Sequence, residues 1–192
     1  MKLSALILIP TISSLLVALS AAPKKPSMTW PPASETNYVD VDKFDLDPDL
    51  EITLWAKSPL FYNPTNMSID PKGRIWVTEG VNYREKLGIR RNAGDRIMVL
   101  IDTDQDGKAD QSKVFLQDPY LESPLGISVF DNKIIISQPP DIVIYTDINR
   151  DLKFDPKIDK KEILLTGFNG RQHDHSLHSI TSGPDGKWYF NS

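Results

Sequence analysis

Residues 95–110 read DRIMVLIDTDQDGKAD, an apolar run that leads into a turn rich in aspartate. Residues 141–155, DIVIYTDINRDLKFD, repeat that order, and Asp102 and Asp147, which end the two apolar runs, lie 45 residues apart. Short runs rich in β-branched residues and bounded by Asp, Asn and Gly are typical of β-strands. The repeat therefore predicts two copies of one β unit.

Further short apolar runs surround this pair, and each has its own turn residues. They are GRIWVTE at 73–79, KVFL at 113–116, NKIIISQ at 132–138, EILL at 162–165 and GKWYFNS at 186–192. An alternating strand, LEITLWA, is predicted at 50–56, and no convincing amphipathic helix occurs after it. A four-strand unit that recurs about every 45 to 60 residues is typical of a β-propeller.

The predicted fold class is all-β, a β-propeller of four-stranded blades over residues 50–192. Two complete blades and half of a third are present, whereas propellers close at about four to eight blades. We therefore expect a fragment of about two and a half blades, truncated at its C-terminus, in which each blade needs its neighbours. Trp76 and Trp188 are predicted to be core residues at equivalent blade positions.

The N-terminal residues predict export to the periplasm or the cell exterior. Residues 1–20 have one early lysine, an apolar run and a final Ala-Leu-Ser, as in a cleavable signal peptide. The alternative is a short membrane anchor, which Pro10 and the small residues disfavour. After cleavage no stable membrane span is expected. Residues 21–49 are rich in proline and polar residues and predict a linker or an arm on the domain surface.

Composition excludes several classes of site and partner. The chain has no cysteine, so disulfides, thiolate metal sites and covalent haem attachment within it are impossible. It has 26 acidic and 22 basic side chains. Without a basic run or a basic-aromatic stripe, the sequence predicts no nucleic-acid partner.

All three histidines lie in one short segment, GRQHDHSLHS at 170–179. His173 and His175 share one face if the segment is extended. Three interpretations stay open: a catalytic or cofactor-contacting group, a metal site, or a polar strand with structural imidazoles. For the second, His178 or Asp174 would complete a set of ligands for zinc, copper or iron.

A second cluster is DTDQDGKAD, whose carboxylates predict a calcium loop. The predicted ligands are Asp102, Asp104, Asp106 and Asp110. Lys113 stands where an EF-hand needs glutamate, so that motif is excluded. The related DINRDLKFD has leucine in place of the turn glycine and is the weaker candidate. The alternative for both is an acidic turn exposed to solvent.

A long connection, EGVNYREKLGIRR at 79–91, follows the second strand of the first unit. Four of its side chains could reach an anionic cofactor or acidic substrate, because arginine binds carboxylates through two parallel hydrogen bonds. They are Tyr83, Arg84, Arg90 and Arg91. The alternative is solvated surface charge.

Two segments carry a resemblance to a known family. NPTNMSIDPKGRIWVTEGVNYR at 63–84 and GRQHDHSLHSITSGPDGKWYFNS at 170–192 resemble the N-terminal propeller of large exported proteins of planctomycetes and verrucomicrobia, known as membrane-bound dehydrogenases. That family is in turn similar to soluble quinoprotein glucose/sorbosone dehydrogenases. In many of its members a c-type haem domain follows the propeller.

The resemblance implies an oxidoreductase acting on a sugar or alcohol, with pyrroloquinoline quinone as cofactor and a haem c domain of the full-length protein as electron acceptor. His175, eight residues before Gly183 of the GPD turn, matches the family's base. Asp174 and His173 would be its catalytic neighbours, and Arg84 and His178 would contact the cofactor. The sequence SLHS after the base departs from the family's pair of glycines and arginine.

A second class of function is also compatible with the sequence, because propellers host both enzymes and binding modules. In that alternative the chain is a non-catalytic module that binds glycans or proteins, and calcium stabilises its loops.

Overall fold

The computed structural model describes residues 40–83, 91–169 and 176–192. The predicted signal peptide at 1–20 and most of the linker at 21–49 lie outside these residues. A single turn of 3-10 helix occupies Val41–Lys43. The strands are β1 (Pro64–Ile69), β2 (Ile75–Glu79), β3 (Arg96–Ile101), β4 (Gln111–Gln117), β5 (Gly126–Phe130), β6 (Lys133–Gln138), β7 (Asp141–Thr146), β8 (Lys160–Thr166), β9 (Ile180–Ser182) and β10 (Trp188–Phe190).

The strands form antiparallel sheets in which chain neighbours pair. The orders are β1-β2-β3-β4, then β5-β6-β7-β8, then the hairpin β9-β10. The predicted all-β class is confirmed, and the described residues contain two four-stranded sheets and one two-stranded sheet. Across the described residues the sheets do not close into a ring, so the propeller stays a prediction. No helix within those ranges is long and apolar enough for a bilayer span.

The first two sheets pack face to face because their strands alternate in burial. On β3, Ile97 and Val99 point toward the second sheet, whereas Met98 and Leu100 point away from it. Alternation follows from the two-residue side-chain period of a strand. The core between the two sheets consists of Trp76, Ile97, Val99, Phe115, Leu116, Leu121, Ile127, Val129, Ile134, Ile136, Val143 and Tyr145.

The second sheet is covered on both faces. Ile134 and Ile136 of β6 face the first sheet, while Ile135 faces the β9–β10 hairpin and Leu177, which precedes it in the chain. Burial on both faces explains why β6 and β7 read as continuous apolar runs instead of alternating ones.

The strand predicted at 50–56 is wrong, since those residues join no sheet. Trp55 and Ala56 instead pack on the outward face of the first sheet beside Met98 and Leu100. The Trp55 carbonyl accepts a 2.7 Å hydrogen bond from the Ala109 amide. An alternating pattern predicts one buried face but not a pairing partner, and here the buried face covers the sheet without extending it.

The predicted equivalence of Trp76 and Trp188 is wrong by one residue. The turns before β2 and β10 are alike, with Gly73 and Gly186 at φ +76° and +75°. Trp188 is the first residue of β10, so its counterpart is Ile75 and not Trp76. One residue reverses the face of a strand. Trp76 is accordingly 2% exposed in the main core, whereas Trp188 is only partly buried, against the second sheet.

The topology separates the connections into two edges. At one edge β2, β4, β6 and β8 end and the next strand begins, and we call it the histidine edge because His178 precedes β9 there. The starts of β1 and β5 lie side by side there, since the side-chain amide of Asn66 donates to the backbone carbonyl of Leu125 at 3.0 Å. The opposite edge carries residues 102–110 and 147–159, and we call it the aspartate edge.

Candidate active-site edge and aspartate loop

His173, Asp174, His175 and Arg84 lie outside the described residues. The residues that flank them in the chain are described and lie at the histidine edge: Asn169 and Ser176 on either side of 170–175, and Tyr83 and Arg91 on either side of 84–90. Both predicted functional segments therefore begin and end at the same edge of the sheets.

Glu79, the last residue of β2, is the centre of a buried ionic network at this edge. Its side chain is fully buried and accepts hydrogen bonds from Arg96 Nε and Nη2, both at 2.7 Å. Arg91 Nη1 and the amide of Tyr62, the latter at 2.8 Å, also donate to it. A buried carboxylate is tolerated because two guanidinium groups compensate its charge.

Asp95 is a second buried carboxylate next to this network. It accepts hydrogen bonds from the Ser123 amide at 2.8 Å and from the Asn82 amide at 3.2 Å. Burial raises the pKa of Asp95, although these amides and the charge of Arg91 act against the rise. The carboxylate thereby joins the β4–β5 connection to the residues that follow β2.

Asn82 holds the two ends of the β2–β3 connection together. Its side chain accepts from the Arg91 amide at 2.7 Å and donates to the Arg91 carbonyl at 3.1 Å. The described residues on the two sides of 84–90 are therefore joined at one point of the sheet edge.

The prediction for Arg91 requires a correction. From the sequence, its side chain was expected either to bind an anionic ligand or to be exposed to solvent. The structure pairs it with Glu79, and its side chain is 13% exposed. The network was not predicted, because neither an alternation pattern nor a sequence motif indicates that Glu79 is buried and paired. The one available signal was a charged residue at the end of a mostly apolar strand, which requires a partner when buried.

His178 is anchored through its backbone. Its amide donates to the Asn191 carbonyl at 3.0 Å, which closes the β9–β10 hairpin. Its carbonyl lies so close to β5 that a Cβ at Gly126 would come within 2.3 Å of the oxygen. Gly126 thus allows the β9–β10 hairpin to approach the second sheet at His178.

Two buried hydroxyls lie in the same region. Ser123 Oγ and Ser137 Oγ have no hydrogen-bond partner in the described part of the chain. Ser137 Oγ would be 2.8 Å from a Cβ at Gly126, which places it against the same seam. The histidine edge therefore combines compensated buried charges with unused hydroxyl groups.

At the aspartate edge, the loop after β3 brings together three of the four predicted metal ligands. Carboxylate oxygens of Asp102, Asp104 and Asp106 lie within 4.8 Å of one another. The amides of Gln105, at 2.7 Å, and Gly107, at 2.9 Å, donate to Asp102. Oxygen ligands at this spacing are what Ca²⁺ prefers.

Asp110 does not join that group. Its carboxylate accepts from the Thr103 hydroxyl at 2.5 Å and from the Thr103 amide at 3.2 Å. The hydroxyl bond lowers the pKa of Asp110. Asp110 thus binds within the loop through Thr103, while the other three aspartates form the cluster.

Comparison with known proteins gives a family and two distant structures. A family model described as "Domain of unknown function (DUF7133)" matches residues 38–192. No curated protein matches the chain. An iodide structure of Trichoderma reesei Carbohydrate-Active Enzymes Family AA12 is 19% identical, with a TM-score of 0.45, over 64% of this chain and 27% of that one. A calcium structure of the same family is 18% identical, with a TM-score of 0.40, over 62% and 25%.

The chain spans about a quarter of the length of these two structures. Similarities this small establish neither a shared activity nor a shared ligand.

Proposed function

The chain belongs to the DUF7133 family, a domain of unknown function, and we propose that it is part of an exported oxidoreductase that acts on sugars or related alcohols. The observation that carries the proposal is the convergence at the histidine edge. The described residues that flank 170–175, in the histidine-rich segment, and 84–90, in the arginine-rich connection, lie there beside the buried Glu79 network. The acidic loops lie at the other edge, so the two kinds of chemistry are kept apart.

We also propose that the sheets are blades of a β-propeller. Their shared strand order, their face-to-face packing and the neighbouring first strands support it. β1 lies beside β5, where the Val129 amide donates to Ser68 Oγ at 3.1 Å, and Gly126 of β5 lies beside the start of β9. A propeller face is a common location for a ligand because the connections of several blades meet there.

The proposed chemistry assigns a role to three residues of the histidine segment, His173, Asp174 and His175. Removing hydride from an alcohol carbon requires that the hydroxyl proton leave, and imidazole can accept it near neutral pH. His175 is the proposed base, Asp174 orients or polarises a ring beside it, and His173 is its catalytic neighbour. These assignments rest on the sequence, since the three residues lie outside the described ranges.

Pyrroloquinoline quinone is the proposed cofactor, and the acceptance of two electrons removed with the substrate hydride is the chemistry that it supplies when bound. It carries carboxylates that arginine can bind. Arg91 and Arg96 are committed to Glu79, so Arg84 is the proposed quinone contact, together with His178. A haem c domain of the full-length protein is the proposed partner that receives the electrons.

A second candidate function is a binding module for glycans or proteins with a calcium-stabilised loop. The clustering of Asp102, Asp104 and Asp106 favours it, because three convergent carboxylates attract a hard cation. The two functions are compatible in one molecule, since the loop and the described residues that flank 170–175 lie at opposite edges.

Single alanine variants of the three histidines test the proposal by dye-linked oxidation of sugars and alcohols in the full-length protein, supplied with quinone. His175→Ala should abolish turnover and leave the thermal unfolding midpoint unchanged. His178→Ala should reduce turnover less, because its position does not match the base. The wild-type rate should rise with pH through the imidazole range, about pH 6.5, since only the neutral ring accepts a proton.

Two other results would contradict the proposal in different ways. Equal losses in His173→Ala and His175→Ala, reproduced by a chelator and not relieved by quinone, would indicate a metal site. Wild-type activity in all three variants would leave the histidines a structural role.

A further inference from the structure

A cavity of about 330 Å³ lies between the outer strand of the first sheet and the β7–β8 connection of the second. It is separate from the loop at 102–110, none of whose residues lines it. Its lining combines apolar and charged side chains, among them Leu116, Asp118, Phe154, Pro156, Asp159 and Lys161. This volume is within the range of cavities that hold small molecules.

Two of the lining side chains carry opposite charges and do not pair. Within the described ranges, neither Asp118 nor Lys161 takes part in an ion pair. One oxygen of Asp118 accepts from the Tyr120 amide at 2.9 Å, and no described donor contacts the other. Charges that face one cavity without meeting leave both free to bind groups of a ligand.

The Lys161 ammonium is held in place by two aromatic rings. Its Nζ lies 3.9 Å from the ring centre of Tyr120 and 5.5 Å from that of Tyr145. Cation–π attraction positions an ammonium group without neutralising it. Asp159, the other acid of the lining, is by contrast used internally, because the amides of Ile148 and Asp155 donate to its two oxygens at 2.8 Å and 2.7 Å.

Tyr145 is fully buried, and its ring contacts two residues of the cavity lining, Lys161 and Phe154. Tyr145 packs edge-to-face on Phe154, with ring centres 5.1 Å apart, and its OH makes no hydrogen bond to the described residues. Burial raises the pKa of Tyr145, and the negative charge of Asp118 adds to the rise. The ring of Tyr145 thus supports Lys161 and Phe154 from behind without lining the cavity itself.

We infer that this cavity binds a small zwitterion with an apolar body, of the class of free α-amino acids with apolar side chains. The ligand carboxylate would pair with Lys161 and its ammonium with Asp118. Its side chain would lie against Leu116, Phe154 and Pro156. A ligand with one charge alone would satisfy only one of the two unpaired residues. The inference does not depend on the proposed oxidoreductase function.

Isothermal titration of the full chain with L-leucine tests the inference. We expect one site with a Kd below about 1 mM. Lys161→Met and Asp118→Asn should each weaken binding about tenfold or more, because each removes the partner of a ligand charge. Lys157→Met is the matched control, since this exposed lysine of the same connection does not line the cavity, and its Kd should equal that of the wild type.

Tyr145→Phe is a second control. Removing a hydroxyl that has no partner in the described residues and does not line the cavity should leave the leucine affinity equal to that of the wild type, and the unfolding midpoint unchanged or raised. Two leucine analogues test the class of ligand: 4-methylpentanoate lacks the ammonium, and 3-methylbutylamine lacks the carboxylate. Binding of either analogue as tightly as leucine, or no heat at about 10 mM leucine, would overturn the inference.

Discussion

The two loops at the aspartate edge have nearly the same backbone but different side chains. Each begins at an aspartate after a third strand, and in each the fifth following amide donates to that aspartate: Gly107 to Asp102 at 2.9 Å and Leu152 to Asp147 at 3.0 Å. Both loops also have positive φ at the third and fifth following positions. In both loops the same contacts, between one aspartate and the amides that follow it, therefore hold the backbone.

The side chains then divide the loops into two uses. In the first loop Gly107 is exposed and three carboxylates cluster. In the second, Leu152 packs on the main core, and the Arg150 guanidinium binds Asp131 through two hydrogen bonds. The second loop is thus a structural joint, whereas the first keeps the acidic character that a cation requires.

The largest effect should come from removing the aspartate of the second loop. Asp147 is 3% exposed, so Asp147→Ala would bury no new charge but would leave the amides of Asp151 and Leu152, whose bonds to Asp147 are partly buried, without their acceptor. We expect a loss of about 2–3 kcal/mol in the free energy of unfolding. Asp102→Ala should cost about 1 kcal/mol or less, because water reaches the exposed amides of the first loop. Urea denaturation of both variants measures the difference.

Asp151→Ala is the control for this pair. Asp151 is exposed, and its carboxylate accepts from the Lys153 amide at 2.9 Å, so its loss should change stability by about 0.5 kcal/mol at most. Equal losses in Asp147→Ala and Asp102→Ala would show that both loops contribute alike and would remove the proposed distinction.

A smaller effect is expected from calcium, and only through the first loop. Calcium at ten times its Kd should stabilise the chain by about 1.4 kcal/mol, seen as a rise in the thermal unfolding midpoint. Asp104→Ala should abolish that rise. Asp104 is the variant of choice because its contact with the Asp106 amide, at 3.4 Å, is long and exposed, so the loop should keep its shape.

The second loop supplies the matched control for calcium. Asp151→Ala should respond to calcium as the wild type does. In the second loop Arg150 binds Asp131 and Leu152 packs on the core, so this loop is not expected to bind the ion. No binding heat at millimolar calcium would contradict the site in the first loop and leave it an acidic turn.

The repeat of these loops shows why part of the fold was predictable from sequence. An apolar strand followed by an aspartate turn is local information, so β3, β7 and their turns were located correctly. LEITLWA at 50–56 has an equally clear pattern, but its pairing depends on distant residues, and it covers a sheet face instead. Trp188 was misplaced because a single residue in the register decides which face a side chain takes.

The candidate site divides in the same way. The clustering of Asp102, Asp104 and Asp106 was predictable, because the three carboxylates belong to one turn. The Glu79 network was not, since its arginines lie 12 and 17 residues away and meet it only when the sheet edge forms. Asp110 was assigned to the metal group from its spacing, whereas its partner, Thr103, depends on how the loop closes.

The smallest expected effect concerns that closure, in which the two loops differ by one hydroxyl. Thr103 donates its hydroxyl to Asp110 at 2.5 Å, while the corresponding Ile148 offers only its amide, to Asp159. The hydroxyl bond lowers the pKa of Asp110, so Thr103→Val should return that pKa toward its ordinary value. Thr103→Ser keeps the hydroxyl and should leave it low. An NMR titration of the Asp110 carboxyl in the wild type and in both variants measures this pKa.

The sign of the accompanying stability change follows from the direction of the shift. Because the folded state lowers the pKa of Asp110, its contribution is present above the unfolded pKa and is lost as the pH falls through the folded pKa. Thr103→Val should therefore unfold with a weaker pH dependence in that acidic range, while the two proteins differ little below it. The carboxylate is exposed, so solvent screens the interaction and the effect is small. An unchanged Asp110 titration in Thr103→Val would show that the amide bond alone, as in the second loop, determines the closure.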